Sequence, residues 1–257
     1  MNRISSAFEN KNKKAFIGFL TAGDPDLKSS EEFILEMIKA GADLIEIGIP
    51  FSDPIAEGKV IEAANTRALS CGTTTDGVFE LAQNVRAKTQ TPLVFLTYLN
   101  PVFKYGYDKF FGRCKKAGVD GVIIPDLPYE EKGELAEHAE RNDVRIISLI
   151  APTSKERIKR IAESSSGFIY LVSSMGVTGV RDNIDTDLDS MIREIRSVTD
   201  TPVAVGFGIS VPEQAKKFGA ISDGVIVGSA IVRIIEQHGQ NAAPHVYEYV
   251  KSMKDVL

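Results

Sequence analysis

The chain has 257 residues, 43% of them hydrophobic, and carries 30 Lys and Arg against 35 Asp and Glu for a formal net charge of −5. That is enough apolar material for one large core, and the charge balance argues against a nucleic-acid surface and gives no reason to expect an anionic membrane as partner. No basic run, acidic tail or low-complexity segment interrupts the sequence, so residues 1–257 are expected to form a single domain.

Residues 1–10 read as a short amphipathic helix with Ile4 and Phe8 on one side, without the apolar centre of a signal peptide. Short apolar runs then recur at 15–20, 43–47, 93–96, 121–124, 145–150, 168–172, 202–205 and 224–227. Most are continuously apolar rather than alternating, as parallel strands covered on both faces require. Between them lie segments of helical periodicity at 31–40, 75–88, 107–117, 130–141, 155–163, 188–198 and 212–218, and a last one at 242–253 closes the chain. In the first of these, Phe33, Ile34, Met37 and Ile38 form the apolar stripe and Gly41 ends it. Eight strand–helix units predict an α/β fold of the closed (β/α)8 type, a TIM barrel, with a short extra helix after the eighth strand; a doubly wound open sheet is the alternative. The longest uncharged stretch, 164–180, is too broken by Gly and Ser to span a bilayer. Two isolated cysteines, Cys71 and Cys114, suit a reducing, cytoplasmic location.

A barrel of this kind places chemistry at the C-terminal ends of its strands. In Leu44-Ile45-Glu46-Ile47-Gly48-Ile49, alternation puts Leu44, Glu46 and Gly48 on one face and three isoleucines on the other. Glu46 is therefore expected to point into the barrel, where burial raises its proton affinity toward neutrality and suits it to general acid–base work; a structural, salt-bridged Glu is the competing reading. The following loop holds Asp53 and Glu57. Asp53 precedes a proline and reads equally as a turn former, whereas Glu57 suggests a side chain turned back over the barrel mouth. Asp126, after the fourth strand, is either a site residue or a helix cap. His138, His238 and His245 all fall in helical segments, which leaves no His-based triad and no metal site, and no Lys lies within a strand to form a Schiff base.

Glycines gather after the last strands. Val205-Gly206-Phe207-Gly208 ends the seventh, Val227-Gly228-Ser229 ends the eighth before a helical run to Glu236, and Gly176-Val177-Thr178-Gly179 follows the sixth. Such loops together with a helix N-terminus suit a phosphate group; tight turns are the simpler reading. The sixth loop, continuing through Arg181-Asp182-Asn183, is expected to close over a ligand. Ser210 with Glu213 reads as a capping box.

The run from Leu44 to Gly58 resembles the signature of the tryptophan synthase α subunit family. Thr21-Ala22-Gly23-Asp24-Pro25, Tyr98-Leu99-Asn100-Pro101, Ile124-Pro125-Asp126-Leu127-Pro128, Gly176-Val177-Thr178-Gly179, Gly206-Phe207-Gly208-Ile209 and Gly228-Ser229-Ala230-Ile231-Val232 match in order, covering nearly the whole chain. The resemblance implies retro-aldol cleavage of indole-3-glycerol phosphate, with Glu46 as the principal acid/base and Glu57 paired with the indole N–H. It places Phe19, Leu96, Leu127, Ile150 and Tyr170 around the indole, Thr178 and Gly179 in the closing loop, and Gly208, Gly228 and Ser229 at the phosphate. It also implies a β subunit, in an α2β2 assembly, that consumes indole with pyridoxal phosphate; the cofactor is the partner's, and none is expected on this chain. Three positions depart from the family's pattern: Glu57 stands for Asp, Lys59 for Pro and Glu62 for Gln, and Lys59 is placed to pair with Glu57 or loosen the loop. Competing readings are a stand-alone indole-releasing lyase, a weakly active subunit that mainly activates a β partner, and a phosphosugar isomerase on the same barrel.

Overall fold

The computed structural model describes residues 3–10, 13–172, 185–206 and 208–257. Among these, eight parallel strands close into a barrel in sequence order, β1 (Ala15–Thr21), β2 (Leu44–Gly48), β3 (Leu93–Leu96), β4 (Gly121–Ile123), β5 (Arg145–Ile150), β6 (Ile169–Val172), β7 (Val203–Gly206) and β8 (Gly224–Val227), with β1 paired to both β2 and β8. The helices that alternate with them are α1 (Leu27–Lys39), α2 (Lys59–Ser70), α3 (Thr75–Arg86), α4 (Leu99–Tyr105), α5 (Tyr107–Ala117), α6 (Gly133–Arg141), α7 (Lys155–Glu163), α8 (Asp185–Arg196), α9 (Pro212–Ile221), α10 (Ser229–His238) and α11 (Ala243–Lys254). The expected (β/α)8 architecture is thus the observed one, and the extra helix after the eighth strand is α10.

Alternation along the strands divides the core in two. Ile17, Leu44, Val94, Ile123, Ile147, Phe168, Tyr170, Ala204 and Ile226 fill the barrel, while their strand neighbours Phe16, Ile45, Phe95, Val122 and Ile146 pack outward against the helices. Helix α1 shows how the outer layer is built. Asp26 caps it by accepting the Ser29 N–H at 2.7 Å, and Phe33, Ile34 and Met37 form its fully buried stripe.

The N-terminal segment is a 3-10 turn, Arg3–Phe8, that closes the barrel floor. Ile4 joins the inner cluster and Phe8 lies 5.8 Å from Phe168, ring centre to ring centre. Burying a side chain of this size contributes about 1.5–3 kcal/mol. A Cβ at Gly121 or Gly167 would come within 3.0 Å or 3.4 Å of the Ile4 side chain, so both glycines make room for the plug.

Four expectations are corrected. Helices α2 and α4 are additional, the former starting directly from the loop after β2. The segment 130–141 is a 3-10 turn, Tyr129–Glu131, followed by α6. The capping box at Ser210 does not form, because α9 starts later, at Pro212, and it is the Gln214 side chain that accepts the Ser210 N–H at 2.8 Å. The first helix begins four residues before the expected position, since its first turn is polar.

Candidate active site

Strand β2 delivers the central group. Glu46 lies between Phe19 on β1 and Val94 on β3 and is 1% exposed. Among the described residues its Oε1 has no hydrogen-bond partner, and neither do the buried hydroxyls of Thr21 and Thr97 on the flanking segments. A carboxylate in that position is costly, so burial first and the nearby charge of Glu57 second push its pKa up to about 8. The group therefore holds its proton through neutral pH while staying within reach of losing it. The salt-bridged alternative fails, since no cation approaches it among the described residues.

Glu57 is half-buried, and its charge is felt at Glu46. Burial raises it to about 7, against the opposing pull of hydrogen bonds from Asn65 and Tyr98, while Glu62 pushes the same way as burial. Asn65 Nδ2 donates to Glu57 Oε2 at 2.6 Å from the inner face of α2, where Ile61, Ala64 and Ala68 are its buried neighbours. The Tyr98 hydroxyl also accepts the Ala56 N–H at 3.2 Å, tying the loop down. Lys59, exposed at the start of α2, makes no ion pair with Glu57. Asn65 and Tyr98 were not singled out as partners in the sequence; an Asn on an otherwise apolar helical stripe was the available signal.

The other acidic candidates resolve as structure. Asp53 is exposed and accepts a hydrogen bond from the adjacent Ser52 hydroxyl. Asp126 accepts the Leu99 N–H at 2.8 Å and so caps α4 in the preceding unit.

Around Glu46 the apolar candidates fall into two groups. Phe19, with Ile61, Ala64 and Val232, forms a small cluster at the barrel mouth to which Leu96 also packs, and Leu96 touches the inner cluster that contains Tyr170. Burial and the Glu46 charge push the Tyr170 phenol well up, so it stays protonated beside the carboxyl. Ile150 and Leu127 belong instead to the outer layer, because alternation along β5 turns Ile147 and Leu149 inward and Ile150 outward.

The glycines play two parts. A Cβ at Gly48 would lie 2.9 Å from the Phe19 ring, one at Gly228 3.1 Å from it, and one at Gly206 2.5 Å from the Tyr170 ring. These three absences seat the aromatics against the neighbouring strands. Gly208, at φ +79°, has open space where its Cβ would be, and Gly228 and Ser229 start α10 with no side chain capping its first N–H groups. Strands β7 and β8 run in register, Val205 beside Val225, so these donors end on one side of the mouth. Thr178 and Gly179, with the rest of the expected closing loop, lie outside the described residues.

Comparison with known proteins identifies the family and repeats the fold. The family described as tryptophan synthase alpha chain matches residues 6–257. A tryptophan synthase alpha chain from Lacticaseibacillus casei is 47% identical over 254 residues, covering 99% of this chain and 95% of that protein. The crystal structure of the α subunit from Legionella pneumophila superposes with a TM-score of 0.91 at 34% identity, over 100% of this chain and 98% of the other. A chain from the α2β2 tryptophan synthase complex of Pyrococcus furiosus superposes at 0.87 and 38% identity, over 94% and 98%. With the family's pattern matched along nearly the whole chain and relatives close to half identical over their full length, the chain belongs to the tryptophan synthase alpha chain family.

Proposed function

We propose that Glu46 and Glu57 carry the proton transfers by which this α subunit of tryptophan synthase cleaves indole-3-glycerol phosphate to indole and glyceraldehyde 3-phosphate. The observation that carries this reading is Glu46, fully enclosed on the inner face of β2 with an unpartnered carboxyl oxygen and a pKa of about 8. Cleavage requires a proton to reach the indole ring carbon that bears the glycerol chain. It also requires one to leave the hydroxyl on the adjacent glycerol carbon, as the carbon–carbon bond breaks toward the ring and the aldehyde forms. A buried carboxyl that holds its proton at neutral pH can give the first and, once ionised, take the second. The ring N–H becomes more acidic as the ring is protonated, and Glu57, held by Asn65 and Tyr98, is the group to accept its hydrogen bond.

Phe19, Leu96 and Tyr170 would enclose the ring, and Gly208, Gly228, Ser229 and the N–H groups that open α10 would hold the phosphate. The loop at Thr178 and Gly179 belongs to the same reading as a cover over the substrate. Leu127 and Ile150 would act from behind the strands rather than as the wall itself.

The subunit partners with the tryptophan synthase β subunit, which on this reading uses pyridoxal phosphate to consume the indole. Two large apolar side chains stand exposed beyond the ends of β2 and β3, Ile55 at 78% and Phe103 at 66%, on the rim that surrounds the mouth, where a β subunit receiving indole would have to sit. No described helix is long and apolar enough to cross a membrane, and the free thiols of Cys71 and Cys114 suit the reducing cytoplasm.

The test is indole release from indole-3-glycerol phosphate by the purified chain, alone and with a β subunit. Release by the chain alone, accelerated by the partner, is expected. A folded chain that releases no indole in either case, yet raises β-subunit turnover, would show an activating subunit without chemistry of its own.

A further inference from the structure

A cleft of about 480 Å³ opens on the outside of the barrel, where α6 and α7 part over β5. It is remote from the mouth: Ile146, on the outward face of β5, and Ala136 and Ala139, on α6, give it an apolar wall, and Ser164 and Ser166, after α7, a polar one. Lys132, at the start of α6, reaches into it. Its ammonium donates to the buried Ser148 hydroxyl at 3.1 Å and more weakly to the Ser164 carbonyl at 3.4 Å. No carboxylate lies within ion-pairing distance of it among the described residues, and burial pulls its pKa down with no opposing charge. The carboxylates on the same cleft are elsewhere engaged or far off. Glu130 makes two contacts with Arg157, at 2.6 and 3.0 Å, and Glu140 sits eight residues along α6, about 12 Å away at 1.5 Å per residue. Arg145, at the same far end, is 3.4 Å from Asp143. Helix α6 starts at Gly133, on the lining of the cleft, without a side-chain cap.

The geometry points to a second ligand site here, one that takes a small monocarboxylate with a compact apolar body. A half-buried ammonium supported by neutral oxygens alone lacks the counter-charge that buried cations ordinarily have. A carboxylate would supply it, accepting from Lys132 and from the Ser166 hydroxyl, while its apolar part covers Ala136, Ala139 and Ile146. The volume suits a ligand of one ring, and a single unpaired cation matches one negative charge rather than two. The site uses nothing from the barrel mouth, so it stands or falls apart from the lyase reading.

Benzoate is the probe, with benzyl alcohol as its neutral match, titrated into the full chain carrying 13C-labelled alanine methyls. Benzoate is expected to shift the Ala136 and Ala139 signals to saturation, and benzyl alcohol to bind roughly tenfold more weakly or less, the factor that one charge-assisted contact commands. Lys132→Met should weaken benzoate by the same factor while indole release stays within roughly twofold of the parent, because the two sites share no residues. Should Lys132→Met fail to fold, Ala136→Leu, which keeps the ammonium but fills the cleft, should abolish the shift at Ala139. Unmoved methyls in the parent chain, equal benzoate affinity in either folded variant, or benzyl alcohol binding as tightly as benzoate would each overturn the proposal.

Discussion

The two ends of this barrel use carboxylates in opposite ways. At the floor, Asp43, Asp120 and Asp223 each stand immediately before a strand or one residue short of its start, ahead of β2, β4 and β8, and each accepts a backbone N–H from the start of the strand before it. Phe16 donates to Asp43 at 2.7 Å, Leu93 to Asp120 at 2.9 Å and Val203 to Asp223 at 2.9 Å. Each is also matched by a cation, Lys254 at 2.6 Å, Arg3 and Arg86 both at 2.9 Å, and Arg196 at 3.2 Å. At the mouth, Glu46 faces no cation among the described residues and keeps an oxygen without a partner among them. The same functional group thus fastens strands where its bonding is complete and stays chemically available where it is not. The division follows the rule that barrels keep stability at one face and chemistry at the other.

The contrast can be broken most severely at Glu46. Glu46→Gln should lower kcat for indole release by roughly 10²–10⁴-fold, with thermal stability equal to or above the parent, because a neutral amide is cheaper to bury there. Glu57→Ala should fall nearly as far, and Glu57→Asp should retain activity. Near-normal turnover in a folded Glu46→Gln chain would place the chemistry elsewhere. At the floor the prediction inverts. Asp120→Ala removes two ion pairs and the Leu93 acceptor, and should cost about 3–5 kcal/mol in urea unfolding while leaving kcat of the folded protein near the parent's. A kinetic loss without a stability loss would dissolve the distinction between the two ends.

Two smaller effects sharpen it. Gly228→Val would drive a side chain into Phe19 and over the first N–H groups of α10, so binding of glycerol phosphate, read by calorimetry, should weaken roughly tenfold or more while indole binding changes less. The subtlest concerns pH. Glu46 titrates near 4.5 when unfolded and about 8 when folded, so between those values the native state holds a proton that the unfolded chain has released. Its contribution to stability is complete below 4.5 and is lost as pH rises toward 8, and Glu57, at about 7, acts in the same direction. Thermal melts from pH 5 to 8 should therefore show the Glu46→Gln variant gaining on the parent as pH rises; a gap that narrows instead would mean that the folded carboxyl is ionised throughout.

The strands and the inward aim of Glu46 were legible because a run buried on both faces carries its own pattern: Ile45 and Ile47 on one side of β2 leave the other side to Glu46. Helix α2 was hidden because its buried stripe is Ile61, Ala64, Asn65 and Ala68, mostly small residues and one amide, directly after a loop rich in Pro and Gly. Helix α4 was hidden by Pro101, which sits in its first turn, where the missing N–H has no partner to lose. The surroundings of Glu57 could not be read locally. Asn65 comes from α2 and Tyr98 from the end of β3, and only closure of the barrel brings them to one carboxyl. The packing role of the glycines could not be read locally either, since whether a missing Cβ makes room for an aromatic ring depends on the strand next door.

Strand β1 pairs with β8, the last strand to be made, and the Lys14 N–H donates to the Leu257 carbonyl at 3.0 Å while Lys254 reaches back to the Lys14 carbonyl at 2.8 Å. During synthesis β1 must therefore wait with one edge bare until β8 has left the ribosome. The plug residue Ile4 waits with it, for β4 and for the turn before β6. An unpaired apolar edge held open for that long invites pairing with another nascent chain, so the interval between emergence of β1 and of β8 is the window in which such pairing is least opposed.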